Sequence, residues 1–367
     1  MEYKKNAEAV YARLYDFFSS EARDRICAKM HLKADPAEKQ IHNVEKDKEL
    51  NDIEISYPDF DENTLAEHLK SCKVFQELSD DSFPFQYPWE FDQGLYGALV
   101  GGRIKFSDIG DWVSSMVYPF VDDLDEIKNF KLDENHIWYK RYKDRLALYV
   151  KYLKGKIAIT DVLCISGVNF LFDLVGATEA YYAILETPDK AKQAIDFSID
   201  LNIWLRETFF QIVGLENGGT FINSVQNGMW IPGRVVNESV DPFHLTSADT
   251  FEEWGRGPLE KMFGHFDGGC VHLHGNGRHL LKSVSSVKGM KMIMILEDHP
   301  FPFAYEVLDE LASQRGCVPI QLRIPYDIFV SKLSAKQLPA NIYYFVEAVP
   351  DIATANELMK EVIQYRA

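Results

Sequence analysis

From about Thr187 onward the chain alternates short apolar runs with stretches of helical periodicity, and this narrows the available folds more than any other feature. Thr187-Pro188-Asp189 supplies a capping hydroxyl, a proline suited to a first turn and an acid for the helix dipole. The helix it opens carries Ile195, Ile199 and Ile203 on one face. A strand is predicted from Gly219 to Val225, then a long loop to about Thr246, then a helix over about 248–264. Next come predicted strands ending at His272 and His274, at Leu296, at Ile324 and at Val346, with a helix from Ala304 to Ser313 between the second and third. The last helix is predicted to open at Thr354-Ala355-Asn356-Glu357, which fits a capping box. Apolar strands separated by helices pair in parallel and are covered on both faces. The number of units in one domain length predicts an α/β chain folded as a (β/α)8 TIM barrel rather than an open doubly wound sheet. No glycine-rich nucleotide fingerprint follows any strand.

The first part of the chain reads differently. Ala7, Val10, Leu14, Phe17 and Phe18 recur at three- and four-residue steps, which predicts a helix over residues 6–32. The charged stretch 33–66 reads as a surface arm. The expected division is an N-terminal helical extension over 1–78 and the barrel over 79–367.

Composition excludes several classes of function. Lys and Arg number 39 against 56 Asp and Glu, a net charge of −17 that argues against nucleic acid. Apolar residues at 46% and aromatics at 13% describe a globular chain. The cysteines at 27, 72, 164, 270 and 317 are odd in number and form no C-x-x-C pair, as expected in a reducing cytoplasm. No signal-peptide pattern opens the chain, and no apolar run approaches the ~20 residues of a membrane span.

In a barrel, function gathers at the carboxyl ends of the strands. His272 and His274, with Leu273 between them and Gly275-Asn276-Gly277 after them, would share one face of a strand at such an end. Two imidazoles placed so make half of a metal site. Other predicted strand ends supply Asn223 and Gln226, Glu297-Asp298-His299, Gln321 and Arg323, and Glu347. Early in the chain, Tyr87, Trp89, Glu90 and Asp92 combine aromatics with acids, and the loop after Ser224 brings Trp230, Arg234, Glu238 and Asp241. Blander readings stand beside these: Glu297-Asp298 also suits a turn cap, Glu347 a surface acid, and Trp89 and Trp230 packing. Cys270, deeper in its strand, reads as core.

From about Asp81 to Tyr365 the chain resembles the uroporphyrinogen decarboxylase superfamily. The resemblance is carried by Gly167-Val168-Asn169-Phe170, Gly176-Ala177-Thr178-Glu179, Glu186-Thr187-Pro188-Asp189, Glu238-Ser239-Val240-Asp241 and Thr246-Ser247-Ala248-Asp249-Thr250-Phe251. His272-Leu273-His274-Gly275-Asn276 stands where the cobamide-dependent methyltransferase branch has His-x-Cys-Gly-Asn, and Pro350 and Asn356 match that branch's C-terminal motif. The superfamily's arginine-rich N-terminal motif is absent before residue 100, and Glu90 and Asp92 would repel a porphyrin rich in carboxylates.

The resemblance therefore implies the methyltransferase branch. Its members hold zinc and move methyl groups to or from a corrinoid carried by a partner protein. Here His274 replaces the first cysteine ligand, and Val346, beside Glu347, occupies the later one. The expected zinc ligands are His272 and His274, with Glu297 or Glu347. Imidazoles and a carboxylate leave zinc a stronger Lewis acid than thiolates do, suited to polarising an oxygen. The expectation is a corrinoid-dependent demethylase subunit acting on a small methyl donor with an oxygen leaving group, such as an aryl methyl ether. Tyr87, Trp89, Asn223, Trp230 and Arg323 would line the pocket, and Glu90, Asp92 and Asp241 would act on protons. Superfamily relatives often pair as homodimers. The alternative is a cofactor-free lyase resembling uroporphyrinogen decarboxylase, in which one of those acids protonates a carbanion equivalent.

Overall fold

The structure is a computed structural model describing residues 1–19, 23–33, 62–108, 113–224 and 227–367. Most of the expected surface arm, and Gln226, lie outside the described residues. The strands are β1 (Cys27–Leu32), β2 (Phe85–Gln86), β3 (Ile104–Asp108), β4 (Val113–Val117), β5 (Ala158–Ile159) and β6 (Gly219–Ser224). They continue with β7 (Asn227–Pro232), β8 (Val235–Ser239), β9 (Gly268–Leu273), β10 (Met290–Ile295), β11 (Ile320–Pro325) and β12 (Ile342–Val349).

Six of them form one sheet in the order β1-β12-β11-β10-β9-β8, and every neighbouring pair is parallel. β2 and β5 form a short parallel pair, and the segments beside them bond to the two edges of that sheet. Asp81 N donates to Ala28 O on the β1 side at 2.9 Å, and Cys164 N donates to Asn237 O on the β8 side at 2.7 Å. β3–β4 and β6–β7 are antiparallel hairpins. The chain is thus mixed α/β around a parallel central sheet. Among the described residues no helix is long and apolar enough to cross a membrane.

Three sequence expectations change. The helix predicted over 6–32 is instead a helix α1 (Ala7–Phe18) followed by β1. Residues 27–32 alternate apolar and polar with period two from Cys27-Ala28-Lys29 on, and they pair with β12 along most of their length. Residues 27–32 thus supply a strand of the main sheet. The long loop predicted before Thr246 holds β7 and β8, and β8 is buried throughout. Its Asn237-Glu238-Ser239 hid it from a reading that sought apolar runs. The last helix opens a turn earlier than predicted, at Ile352, with the Asp351 carboxylate accepting from Thr354 N at 2.7 Å.

The two faces of the sheet pack differently. Val271, Leu273, Ile293, Ile295, Leu322 and Val346 turn outward into a core completed by helix residues such as Leu281, Leu308, Phe329 and Leu358. Cys27, Val235, Cys270, Met292 and Tyr343 turn inward, where Val10, Tyr11 and Leu14 of α1 and the β6–β7 hairpin cover them. Trp230, expected to line a pocket, belongs to this inner core. It is 1% exposed, its indole donates to Glu216 O at 2.8 Å, and its ring meets Tyr11 edge-on at 5.2 Å.

Candidate functional site

Where β8 and β9 end, the inner face changes from apolar to polar. β9 keeps Cys270 and His272 on that face, and the chain leaves the strand through His274 into a short helical turn, Gly275–Leu280. One strand over, β8 gives way after Ser239 to a helical turn that begins at Asp241. Among the described residues, Asp241, His272 and His274 are the group whose ligand atoms all lie within 4.8 Å of one another. His272 Nε2 stands 3.0 Å and His274 Nε2 3.8 Å from Asp241 Oδ1. That oxygen is buried, yet no donor is aligned on it for a hydrogen bond.

A second carboxylate stands behind His274. Asp298 follows β10 and accepts from His274 Nδ1 at 3.0 Å and from Gly275 N at 2.8 Å. A carboxylate only accepts, so Nδ1 carries the proton and Nε2 turns its lone pair toward Asp241 and the interior. This is how an outer carboxylate prepares a histidine for a metal.

A third imidazole, His244, lies three residues along the turn from Asp241, with Nδ1 3.6 Å from Asp241 Oδ1 and its ring 5.5 Å from that of His274. Gly277 makes room for it: a β-carbon there would come within 2.2 Å of the His244 ring. Burial pushes His244 down to about 4 against the pull of Asp241, so it is neutral near pH 7. Burial also works against charge on His272, but Asp241 outweighs it and raises its pKa. For Asp241, burial acts upward and the imidazoles win, holding the carboxyl far below its ordinary range. His272 and Asp241 thus favour each other's charged forms.

The other expected residues divide. Asp92 follows β2, is buried, and interacts electrostatically with His272; burial pushes it up to about 6, while His272 and the N–H groups of Leu163 and Gln93 pull the other way. Glu90 does not join the site. Its carboxylate is committed to a buried ion pair with Arg145 of the helix Ile137–Leu153, at 2.9 Å, because an unpaired charge there would be costly. Glu297 accepts from Arg278 and from Ala304 N, and Glu347 accepts from Arg323 Nη1 at 2.9 Å. Neither belongs to the Asp241 group, so the carboxylate that completes it is Asp241, expected as a proton-transfer residue. Of the neighbours Glu297 and Asp298, the structure brings Asp298 to the site and leaves Glu297 as the turn cap.

Tyr87 and Trp89 are buried in the main core. Asn223 is half-buried beside Asn237, whose amide donates to its carbonyl at 2.7 Å. Arg323 lies on the inner face of β11. Sequence reasoning missed His244; its signal was the i, i+3 spacing from Asp241 on one helical turn.

No protein-family model matches the sequence. No curated protein matches it either. Among solved structures the chain is similar to a methyltransferase from Methanosarcina mazei, at 12% identity and a TM-score of 0.49, over 74% of this chain and 78% of the other. A likeness of that extent places no residue, and the functional reading rests on the geometry.

Proposed function

We propose that this chain is the methyltransferase subunit of a corrinoid-dependent demethylase, and that it uses a divalent metal, most simply zinc, to assist departure of an oxygen leaving group. The observation that carries the reading is the donor set Asp241, His272 and His274, with His274 oriented by Asp298. It contains two imidazoles and one carboxylate and no thiolate. In this reading the six-stranded sheet and the β2–β5 pair form the closed (β/α)8 ring of the superfamily resemblance, and the site lies on its catalytic face.

An ion held by these three residues supplies a Lewis acid for the leaving oxygen. The protein's own groups do the rest. Asp298 and Gly275 N fix the His274 ring. Asp241, whose low pKa keeps it anionic, offers charge to a cation. In such a reaction the methyl–oxygen bond would break, the oxygen keeping the electron pair and the methyl group going to a reduced corrinoid supplied by a partner protein. Asp92, raised by burial and coupled electrostatically to His272, would protonate that oxygen.

The same Asp92 supports the second reading, a cofactor-free lyase in which a buried acid protonates a carbanion equivalent. Metal analysis separates the two. The demethylase reading expects about one zinc per chain and its loss in His272→Ala and Asp241→Ala, together with methyl transfer from methoxylated aromatics to cob(I)alamin. A metal-free wild type whose variants behave like it would remove this reading and leave the lyase.

A further inference from the structure

The inner face carries a second polar cluster, three strands from β8, that the metal site does not use. β11, β12 and β1 are neighbours, and both Arg323 and Lys29 are register partners of Phe345. The Arg323 guanidinium carbon stands 4.9 Å from the Phe345 ring centre and Lys29 Nζ 4.6 Å from it. A chain of net charge −17 thus sets two cations against one aromatic ring on the face that bears its candidate site.

Glu347 occupies one guanidinium nitrogen of Arg323, which has five N–H donors in a planar fork. The arginine remains about one-third exposed. Two residues below it on the same face, Gln321 is buried and its Oε1 has no hydrogen-bond partner. A buried amide oxygen left so, directly under a partly exposed arginine, marks a place where a ligand completes the bonding.

We infer that the methyl donor carries a carboxylate, and that Arg323 takes it beside Phe345, with the Gln321 amide oxygen accepting from a donor next to that carboxylate. A planar monoanion matches the fork that Glu347 already shares. β9 and β11 lie two strands apart, so their backbones are roughly 10 Å apart. An aromatic ring is of a size to bridge such a separation, which would bring a methoxy oxygen toward Asp241, His272 and His274 when the carboxylate is at Arg323. The inference deepens the methyl-transfer reading and rests on it for the reacting end alone; the carboxylate subsite is tested by binding.

The experiment is calorimetric titration of the full chain at constant ionic strength with 4-methoxybenzoate, methoxybenzene and phenyl phosphate. The expected result is that 4-methoxybenzoate binds at least tenfold more tightly than either other probe. Arg323→Met should weaken it roughly tenfold to a hundredfold, as for loss of a charge-assisted bond. Gln321→Leu should cost several-fold only for a probe with a donor beside the carboxylate, 2-hydroxy-4-methoxybenzoate, and should leave 4-methoxybenzoate within about twofold. Thermal melts establish that each variant is folded, and Arg323→Lys, which keeps the charge and loses the fork, serves if Arg323→Met is not. Equal binding of methoxybenzene, preference for phenyl phosphate, indifference to both Arg323 variants, or no binding of 4-methoxybenzoate overturns the inference. Methyl transfer from neutral donors to cob(I)alamin, measured separately, reports on the underlying reading. It can survive loss of the subsite, and the subsite can survive its loss.

Discussion

The inner face of the sheet has two halves that lie one or two residue steps apart on the same strands, yet they do opposite work. On β9, Cys270 is fully buried and burial raises its thiol pKa, whereas His272, two residues on, begins the Asp241, His272 and His274 cluster. On β1 the same step leads from Cys27 to Lys29, and on β12 from Tyr343, whose hydroxyl donates to Asp81 O, to Phe345 and Glu347. The difference is what covers each half. α1 and the β6–β7 hairpin seal the amino half with Tyr11, Leu14, Phe221 and Trp230. The carboxyl half receives turns that leave the strands: Asp241–Leu245, Gly275–Leu280 and the segment holding Asp298. Alternation puts both sets on one face. Position along the strand then decides whether a side chain packs or reacts.

If the sealed half exists for stability, its polar latch should matter most. Lys4, just before α1, donates to Leu78 O at 2.8 Å and to Asp80 Oδ1 at 2.7 Å, and both side chains are fully buried. Asp80 also accepts from Met30 N and Ser82 Oγ, so one carboxylate ties the plug to β1. Asp80→Ala strands an ammonium whose charge burial already disfavours. It should destabilise the protein by about 3–5 kcal/mol in urea unfolding, while the folded fraction keeps its metal affinity. A cost under about 1 kcal/mol, or loss of metal from still-folded protein, would erase the division of labour between the halves.

Much of this was legible in the sequence, and the failures have physical causes. His272 and His274 were placed correctly because a strand's period of two is simple and a glycine turn ends it. The helix Pro188–Ile212 was announced by Thr187-Pro188-Asp189. β8 was missed because its carboxyl half carries Asn237, Glu238 and Ser239, polar residues inside a buried strand. Nothing local in the sequence singles out Asp241 as the carboxylate of the cluster over Glu297 and Glu347, which stand at strand ends as Asp298 does. Which acid turns inward depends on its partners: Arg278 and Ala304 N take Glu297, and Arg323 takes Glu347. Such pairings join residues far apart in the chain and leave no local pattern. The ion pair of Glu90 with Arg145, 55 residues on, likewise has no local signal.

The strand that bears the site also has an outer face, and Glu238 tests whether polarity there serves packing. It is 1% exposed and accepts from Ser166 N and Ser166 Oγ, both at 3.0 Å. Burial pushes it up to about 7 against those bonds. An unfolded glutamate titrates near 4.3, so between about pH 4.3 and 7 the folded state holds a proton that the unfolded state has lost. Its stabilising contribution is complete below that window and lost as pH rises through it, by at most about 4 kcal/mol. Glu238→Gln should flatten this part of the profile, measured as the difference between wild type and variant at pH 5 and 7.5. Parallel profiles would mean that Glu238 is ionised throughout.

The smallest effect should come from the open half, where the charge behind His274 is removed and the packing is untouched. In Asp298→Asn the amide oxygen can take the Oδ2 position, which already accepts from both His274 Nδ1 and Gly275 N. The histidine then keeps its tautomer and orientation, and only the carboxylate's charge is lost. Metal affinity, read by competition with a chromophoric chelator, should fall about tenfold, and stability should change by less than about 1 kcal/mol. Asp298→Ala removes the acceptor as well, frees Nδ1 to exchange its proton with Nε2, and should approach a hundredfold. The order matters more than either value. Alanine worse than asparagine, with both proteins stable, shows a hydrogen bond that orients a ligand; equal losses would mean that charge alone acts, and no loss would mean that His274 is held by something other than Asp298.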